Sequence, residues 1–143
     1  MANVQEKAPG RGGGRRILVI EDEFQLRRLV ARLFTLEGFA VVQAEHGLAA
    51  LGALESGPPP DLVLLDYKMP VMDGAEFLSL MRPQWPGLPV LLVTASPEAA
   101  ELAVRHDCAG VVMKPFHAAA LMAAALEALG EAPGKAAARP VAS

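Results

Sequence analysis

"LLDYKMPVMDG", residues 64–74, begins as a buried strand would and turns charged within three residues. Its apolar run ends on a carboxylate, Asp66, followed by the turn-forming pairs Met69-Pro70 and Asp73-Gly74. A charge at a strand end is costly to hide without a partner. Either Asp66 points into solvent or other groups are arranged around it, and the flanking segments decide which.

Upstream, "RILVIED" (16–22) is a short β-branched run that reads as a buried strand. Apolar residues follow at Leu26, Leu29, Val30, Leu33 and Phe34, the spacing of one buried helical face, with Gly38 as its stop. "FAVVQA" (39–44) reads as a second strand. "GLAALGALESG" (47–57) reads as a small-residue helix halted by Gly57 and Pro58-Pro59-Pro60. "DLVLLDY" (61–67) is the third strand, and "GAEFLSLMR" (74–82) is a helix broken by Pro83 and Pro86. Downstream come "PVLLVTA" (89–95), a weakly amphipathic helix "PEAAELAVRHD" (97–107), "GVVMK" (110–114), and a last helix with Leu121, Met122, Leu126 and Leu129 on one face.

Strands that alternate with helices and read as continuous apolar runs imply a parallel sheet covered on both faces. Right-handed crossovers leave few topologies. The expectation is an α/β flavodoxin-like doubly wound (βα)5 fold with a five-stranded parallel sheet, order 2-1-3-4-5. The domain is expected at 16–130, between a disordered N-terminal extension (1–15) and a flexible C-terminal tail (131–143), both rich in glycine, proline and charge.

Composition narrows the function classes. Residues 17–129 hold 14 acids and 7 bases, a net of −7, while the two ends hold 2 acids and 6 bases, a net of +4, for −3 in all. An acidic domain argues against a direct grip on nucleic acid. No apolar run has transmembrane length and no secretory leader precedes the domain, so no membrane is expected and the cytoplasm is the default. A single cysteine, Cys108, cannot form an internal disulfide and reads as a half-buried filler. The three histidines, His46, His106 and His117, lack ligand spacing, and Trp85 reads as a cover over the core edge.

In such sheets, sites form beyond the carboxyl ends of the strands. Those ends carry Glu21-Asp22-Glu23, Asp66, Thr94-Ala95-Ser96 and Lys114-Pro115. Clustered carboxylates repel, and an oxygen-only set resolves that repulsion by holding a hard divalent cation such as Mg2+. A metal-bound carboxylate beside a lysine and a hydroxyl can attack a phosphoryl group, which would leave an acyl phosphate on Asp66. Glu23 reads only as a helix N-terminal charge.

"ILVIEDE", "LLDYKMPVMDG", "VLLVTAS" and "VVMKPF", in this order and on these elements, closely resemble response regulator receiver domains of two-component signalling. The resemblance covers about residues 16–130. It implies that Asp66 is the phosphoacceptor. Glu21 and Asp22 would hold Mg2+ (or Mn2+), Asp22 more directly and Glu21 through water, with Asp66 and the backbone carbonyl of Lys68 completing the ligands. Thr94 would bond a phosphoryl oxygen, and Lys114 would pair with the phosphoryl group. A cis peptide would join Lys114 to Pro115. The implied partners are a histidine kinase or histidine phosphotransfer protein and an unknown downstream protein target, with the chain a monomer or weak homodimer and not an enzyme. No output domain is read after the last helix, so the expectation is a stand-alone regulator, with a receiver cut from a longer protein as the alternative.

Three features depart from the family pattern. Val111 stands where many relatives place a switching aromatic residue, residues 94–114 run about two residues short, and Glu21 replaces the commoner aspartate. The first two bear on output and none removes the phosphoacceptor chemistry. The rival readings are a Mg2+-dependent phosphatase with an aspartate nucleophile and an inert receiver-like scaffold. The phosphatase would want a second aspartate two residues after the first, where Lys68 stands. The scaffold is disfavoured by the full set of acids, hydroxyl and lysine.

Overall fold

The computed structural model of the chain describes residues 10–130. The expected C-terminal tail and the first nine residues lie outside them. Strands β1 Arg16–Ile20, β2 Ala40–Ala44, β3 Leu62–Leu65, β4 Val90–Thr94 and β5 Gly110–Met113 alternate with helices α1 Phe24–Leu36, α2 Gly47–Ser56, α3 Gly74–Met81, α4 Ala99–Arg105 and α5 Ala118–Ala128. The sheet is parallel throughout, in the order β2-β1-β3-β4-β5. This is the expected flavodoxin-like arrangement.

The period-two alternation of the strands builds two cores. Leu18, Ile20, Val63, Leu65 and Leu92 face one way, against Leu54, Phe77 and Leu102 of α2, α3 and α4. Ile17, Val19, Leu62, Leu64 and Leu91 face the other way, against Phe34 of α1 and Leu121 of α5. β3 and β4 are buried end to end because both faces are covered. Phe34 and Phe77 are fully buried, one in each core, and truncating either to alanine costs about 3–5 kcal/mol.

Helix entries are set by side chains that accept from the first turn. Glu23 takes the amide of Leu26 at 2.7 Å, His46 that of Ala49 at 3.1 Å, and Asp73 that of Glu76 at 2.9 Å. Gly38, at φ +89°, turns the chain after α1. The buried face of α1 is narrower than its periodicity suggests. Val30, Ala31 and Phe34 are buried and Leu26 and Leu33 pack partly, but Leu29 is 61% exposed on the outer rim.

Residues 10–15, which composition places in an unfolded extension, fold back onto the turn between α1 and β2. Gly12 donates to the Glu37 carbonyl at 2.6 Å and Gly14 to that of Gly38 at 2.8 Å. Arg11 pairs with Glu37 at 3.2 Å, and the Arg15 guanidinium lies 5.7 Å from the Phe39 ring centroid. A Cβ on Gly12 would sit 2.5 Å from backbone atoms of Gly38 and Phe39, so only glycine permits this approach. Backbone bonds, not apolar side chains, order this stretch, which is why hydropathy does not reveal it. Among the described residues no helix is long and apolar enough to cross a membrane.

Candidate functional site

The ladders run one residue beyond the strands at their carboxyl ends, and this fixes where the charged side chains start. Glu21 N–H donates to the Ala44 carbonyl, Asp66 N–H to that of Ile20, and Lys114 N–H to that of Thr94, each at 3.0 Å. Arg27 of α1 reaches back to the Glu21 carbonyl at 2.9 Å, a support that spacing alone does not single out. The loop after β3 closes tightly. Gly74 donates to the Tyr67 carbonyl at 2.7 Å, and a Cβ there would meet Tyr67 Cα at 2.9 Å and the Asp66 carbonyl at 3.0 Å. In the same loop Met72 N–H bonds the Pro70 carbonyl at 2.6 Å across Val71, held at φ +69°. That conformation is costly for a β-branched residue, and such residues cluster at functional loops.

Four of the expected side chains converge. Glu21 and Asp66 are buried, Asp22 is exposed, and carboxylate oxygens from all three lie within 4.8 Å of one another. Lys114 Nζ stands between two of them, 2.8 Å from Glu21 Oε1 and 3.4 Å from Asp66 Oδ2. The second oxygen of Glu21 accepts from the Glu23 amide at 3.1 Å. Thr94 is buried and lines, with Asp66, Lys68, Ser96, Pro97 and Lys114, a cleft of about 270 Å3. The Lys68 side chain stands exposed at its rim. The Lys114–Pro115 peptide is cis, as the resemblance implies.

Electrostatics explain why this cluster is unfinished. Three carboxylates and one ammonium leave two uncompensated negative charges. Burial pushes Asp66 and Glu21 above their ordinary values, against the pull of Lys114, and the mutual repulsion of the acids adds to it. Burial alone would lower Lys114, but its bond to Glu21 and the charges of Asp66 and Glu21 outweigh that and raise it. A hard divalent cation cancels the two charges and wants oxygen ligands, so the residues present fit Mg2+ or Mn2+. By contrast Cys108, apart from the cluster, has its thiol pushed up to about 11 by burial and is no nucleophile at neutral pH.

Two residues beyond the expected set adjoin Thr94: Ser96, which lines the cleft, and Glu98, which bonds Ser96. Ser96 is buried, its N–H donates to Thr94 Oγ1 at 3.2 Å, and its hydroxyl donates to the carboxylate of Glu98. Ser96 is visible in sequence only as a neighbour of Thr94, and Glu98 only as a charge at the start of a helix.

The family model described as "Response regulator receiver domain" matches residues 17–126, and the chain belongs to that family. It is 38% identical over 130 residues to the response regulator protein FleR of Pseudomonas aeruginosa, a match covering 89% of this chain and 27% of that protein. It is 40% identical over 80 residues to sporulation initiation phosphotransferase F of Bacillus subtilis, covering 56% of this chain and 64% of that protein. The chain spans about a quarter of the length of FleR and about half that of SphR, a transcriptional regulator of Synechococcus elongatus. Among solved structures, the receiver domain of NtrX from Brucella abortus superposes with a TM-score of 0.72 at 34% identity, covering 79% of this chain and 97% of that one. The response regulator TrrA from Thermotoga maritima, solved in complex with Mg(2+)-BeF, does so with a TM-score of 0.72 at 30% identity, covering 80% and 98%.

Proposed function

We propose that Asp66 accepts a phosphoryl group from a histidine kinase or histidine phosphotransfer protein, in a reaction that requires Mg2+ or Mn2+, and that the modified domain signals by changing its binding to a downstream protein. The observation that carries this reading is the placement of Lys114 between Glu21 and Asp66 in a cluster with excess negative charge. Glu21, Asp22, Asp66 and the Lys68 carbonyl would hold the ion, which would supply positive charge to the phosphoryl oxygens.

This chain's residues do the rest. An Asp66 carboxylate oxygen attacks phosphorus as the phosphorus–nitrogen bond to the donor imidazole breaks, and the imidazole keeps the electron pair and takes a proton. Lys114 neutralises charge on an equatorial oxygen, and the Thr94 hydroxyl is within the same cleft to bond another. The similarity to TrrA, which takes up Mg(2+)-BeF, and to a named phosphotransferase supports the reading.

The test is incubation with labelled acetyl phosphate and Mg2+. The expected result is about one label per chain, acid-stable and base-labile, and none on the Asp66→Asn protein. Continuous turnover, or equal labelling of the Asp66→Asn protein, would overturn the proposal.

A further inference from the structure

We propose that Ser96 and Glu98 form a clamp that holds Thr94 in its resting position, and that charge on Asp66 opens it. Glu98 is a positioning residue here, acting on Thr94 through Ser96. The inference rests on the reading of Asp66 as the phosphoacceptor.

The clamp is visible atom by atom. Thr94 Oγ1 accepts the Ser96 amide at 3.2 Å. Ser96 Oγ donates to Glu98 Oε1 and accepts from the Glu98 amide at 3.3 Å. Ser96 is therefore tied at its backbone to Thr94 and at its hydroxyl to Glu98. Thr94 is 2% exposed and Ser96 5%, so water cannot readily replace the bond between them.

Glu98 is not spent on an ordinary helix cap. Glu23, His46 and Asp73 each accept from the first turn of their own helices, but Glu98, at the N-cap of α4, makes no such bond. Its carboxylate serves Ser96 instead, which lines the cleft together with Lys68.

A phosphoryl group on Asp66 enters that cleft with roughly two negative charges. It repels the Glu98 carboxylate and draws the ammonium of Lys68, which lines the same cleft, towards itself. Both changes weaken the bond between Glu98 and Ser96. The freed Ser96 releases the Thr94 hydroxyl and lets the start of α4 move. Coupling is reciprocal: if occupancy of Asp66 opens the clamp, opening the clamp must tighten occupancy.

The experiment titrates beryllofluoride, with Mg2+ saturating, into the wild-type chain, Glu98→Gln, Ser96→Ala and the double variant. Glu98 is exposed, so its substitution leaves the core untouched. Both single variants are expected to bind beryllofluoride about three- to tenfold more tightly than wild type, a modest coupling by the usual scale. The double variant should gain no more than either single one, the mark of one shared interaction. In unliganded Glu98→Gln, the amide resonances of Thr94 and Ser96 should move towards their beryllofluoride-bound positions. Unchanged or weaker binding in Glu98→Gln, or additive gains in the double variant, would overturn the clamp. Failure of the wild-type chain itself to bind beryllofluoride would instead overturn the proposed function.

Discussion

The two ends of the sheet each hold a long basic side chain against the core, and they use it in opposite ways. At the carboxyl end, Lys114 faces two buried carboxylates with a third close by, and the charges do not balance. At the amino end, Arg82 faces no carboxylate within ion-pair distance among the described residues; its Nη1 donates to the carbonyls of Trp85, Pro86 and Leu88 at 3.1, 3.3 and 2.7 Å. Arg82 thereby pins the proline-rich turn that leads into β4. One cation sits in a set with excess negative charge that a ligand can relieve, and the other gathers loop carbonyls through Nη1 while its buried Nε and Nη2 find no partner among the described residues. The same kind of side chain faces charged partners at one end and neutral carbonyls at the other.

Substitutions at the two ends should separate accordingly. The largest expected effect is on chemistry: Asp66→Asn should abolish phosphoryl labelling while circular dichroism remains that of the folded domain. A labelled Asp66→Asn protein would erase the contrast. Next, Arg82→Ala should take the donor from the Pro86 and Leu88 carbonyls and one of two donors from that of Trp85, and lower stability by about 2 kcal/mol, or roughly 8 °C in Tm, with labelling retained. Loss of labelling at full stability would show that Arg82 serves the site after all.

The frustration at the carboxyl end has its own signature. Asp66 and Glu21 have folded-state values raised by burial, so the folded protein binds more protons than the unfolded chain between the ordinary carboxylate range and those raised values. Their contribution to stability is therefore fully present below the ordinary range and is lost as pH rises through the raised values. In metal-free protein, melting followed over that window should show stability falling as pH rises. Mg2+ at about one hundred times its Kd should return about 2.7 kcal/mol at neutral pH, and Asp22→Ala should remove most of that gain. A metal-free protein whose stability rises with pH over the same window would contradict the assigned burial cost.

What the sequence discloses follows from the range of each interaction. The strand and helix order was legible because buried parallel strands must be continuously apolar, as "LVLL" and "VLLVT" are. The acids and lysine of the site were legible because the topology itself brings strand ends together. The fold of residues 10–15 onto Glu37 and Gly38 was not, since its backbone bonds and the Arg11–Glu37 pair leave no periodic mark. Nor was the partnership of Ser96 with Glu98, because a serine two residues before a glutamate is common at helix starts. The exposure of Leu29 was missed for a different reason: a stripe wide enough for five apolar residues exceeds what β1 and β2 cover.

The smallest expected effect concerns Val111, where a branched side chain with few rotamers stands on β5. It is half-buried and packs on the α4 side of the sheet, against the core that includes Leu92 and Leu102. β5 is the edge strand of the sheet and the position is only partly covered, so a larger ring has room to lie along that edge. Val111→Tyr should therefore change stability by less than about 1 kcal/mol and leave labelling of Asp66 intact. Because valine cannot swing between two positions as a ring can, output in the wild-type chain should run through the backbone of the loop at Ala95, Ser96 and Pro97 and through α4. Beryllofluoride should accordingly shift amide resonances from Ala95 to about His106. Adding the ring should alter partner binding but not those shifts. If beryllofluoride binds and residues 95–106 do not respond, the signal leaves the domain elsewhere, and the exposed outer face of α1, with Phe24 and Leu29, becomes the surface to probe.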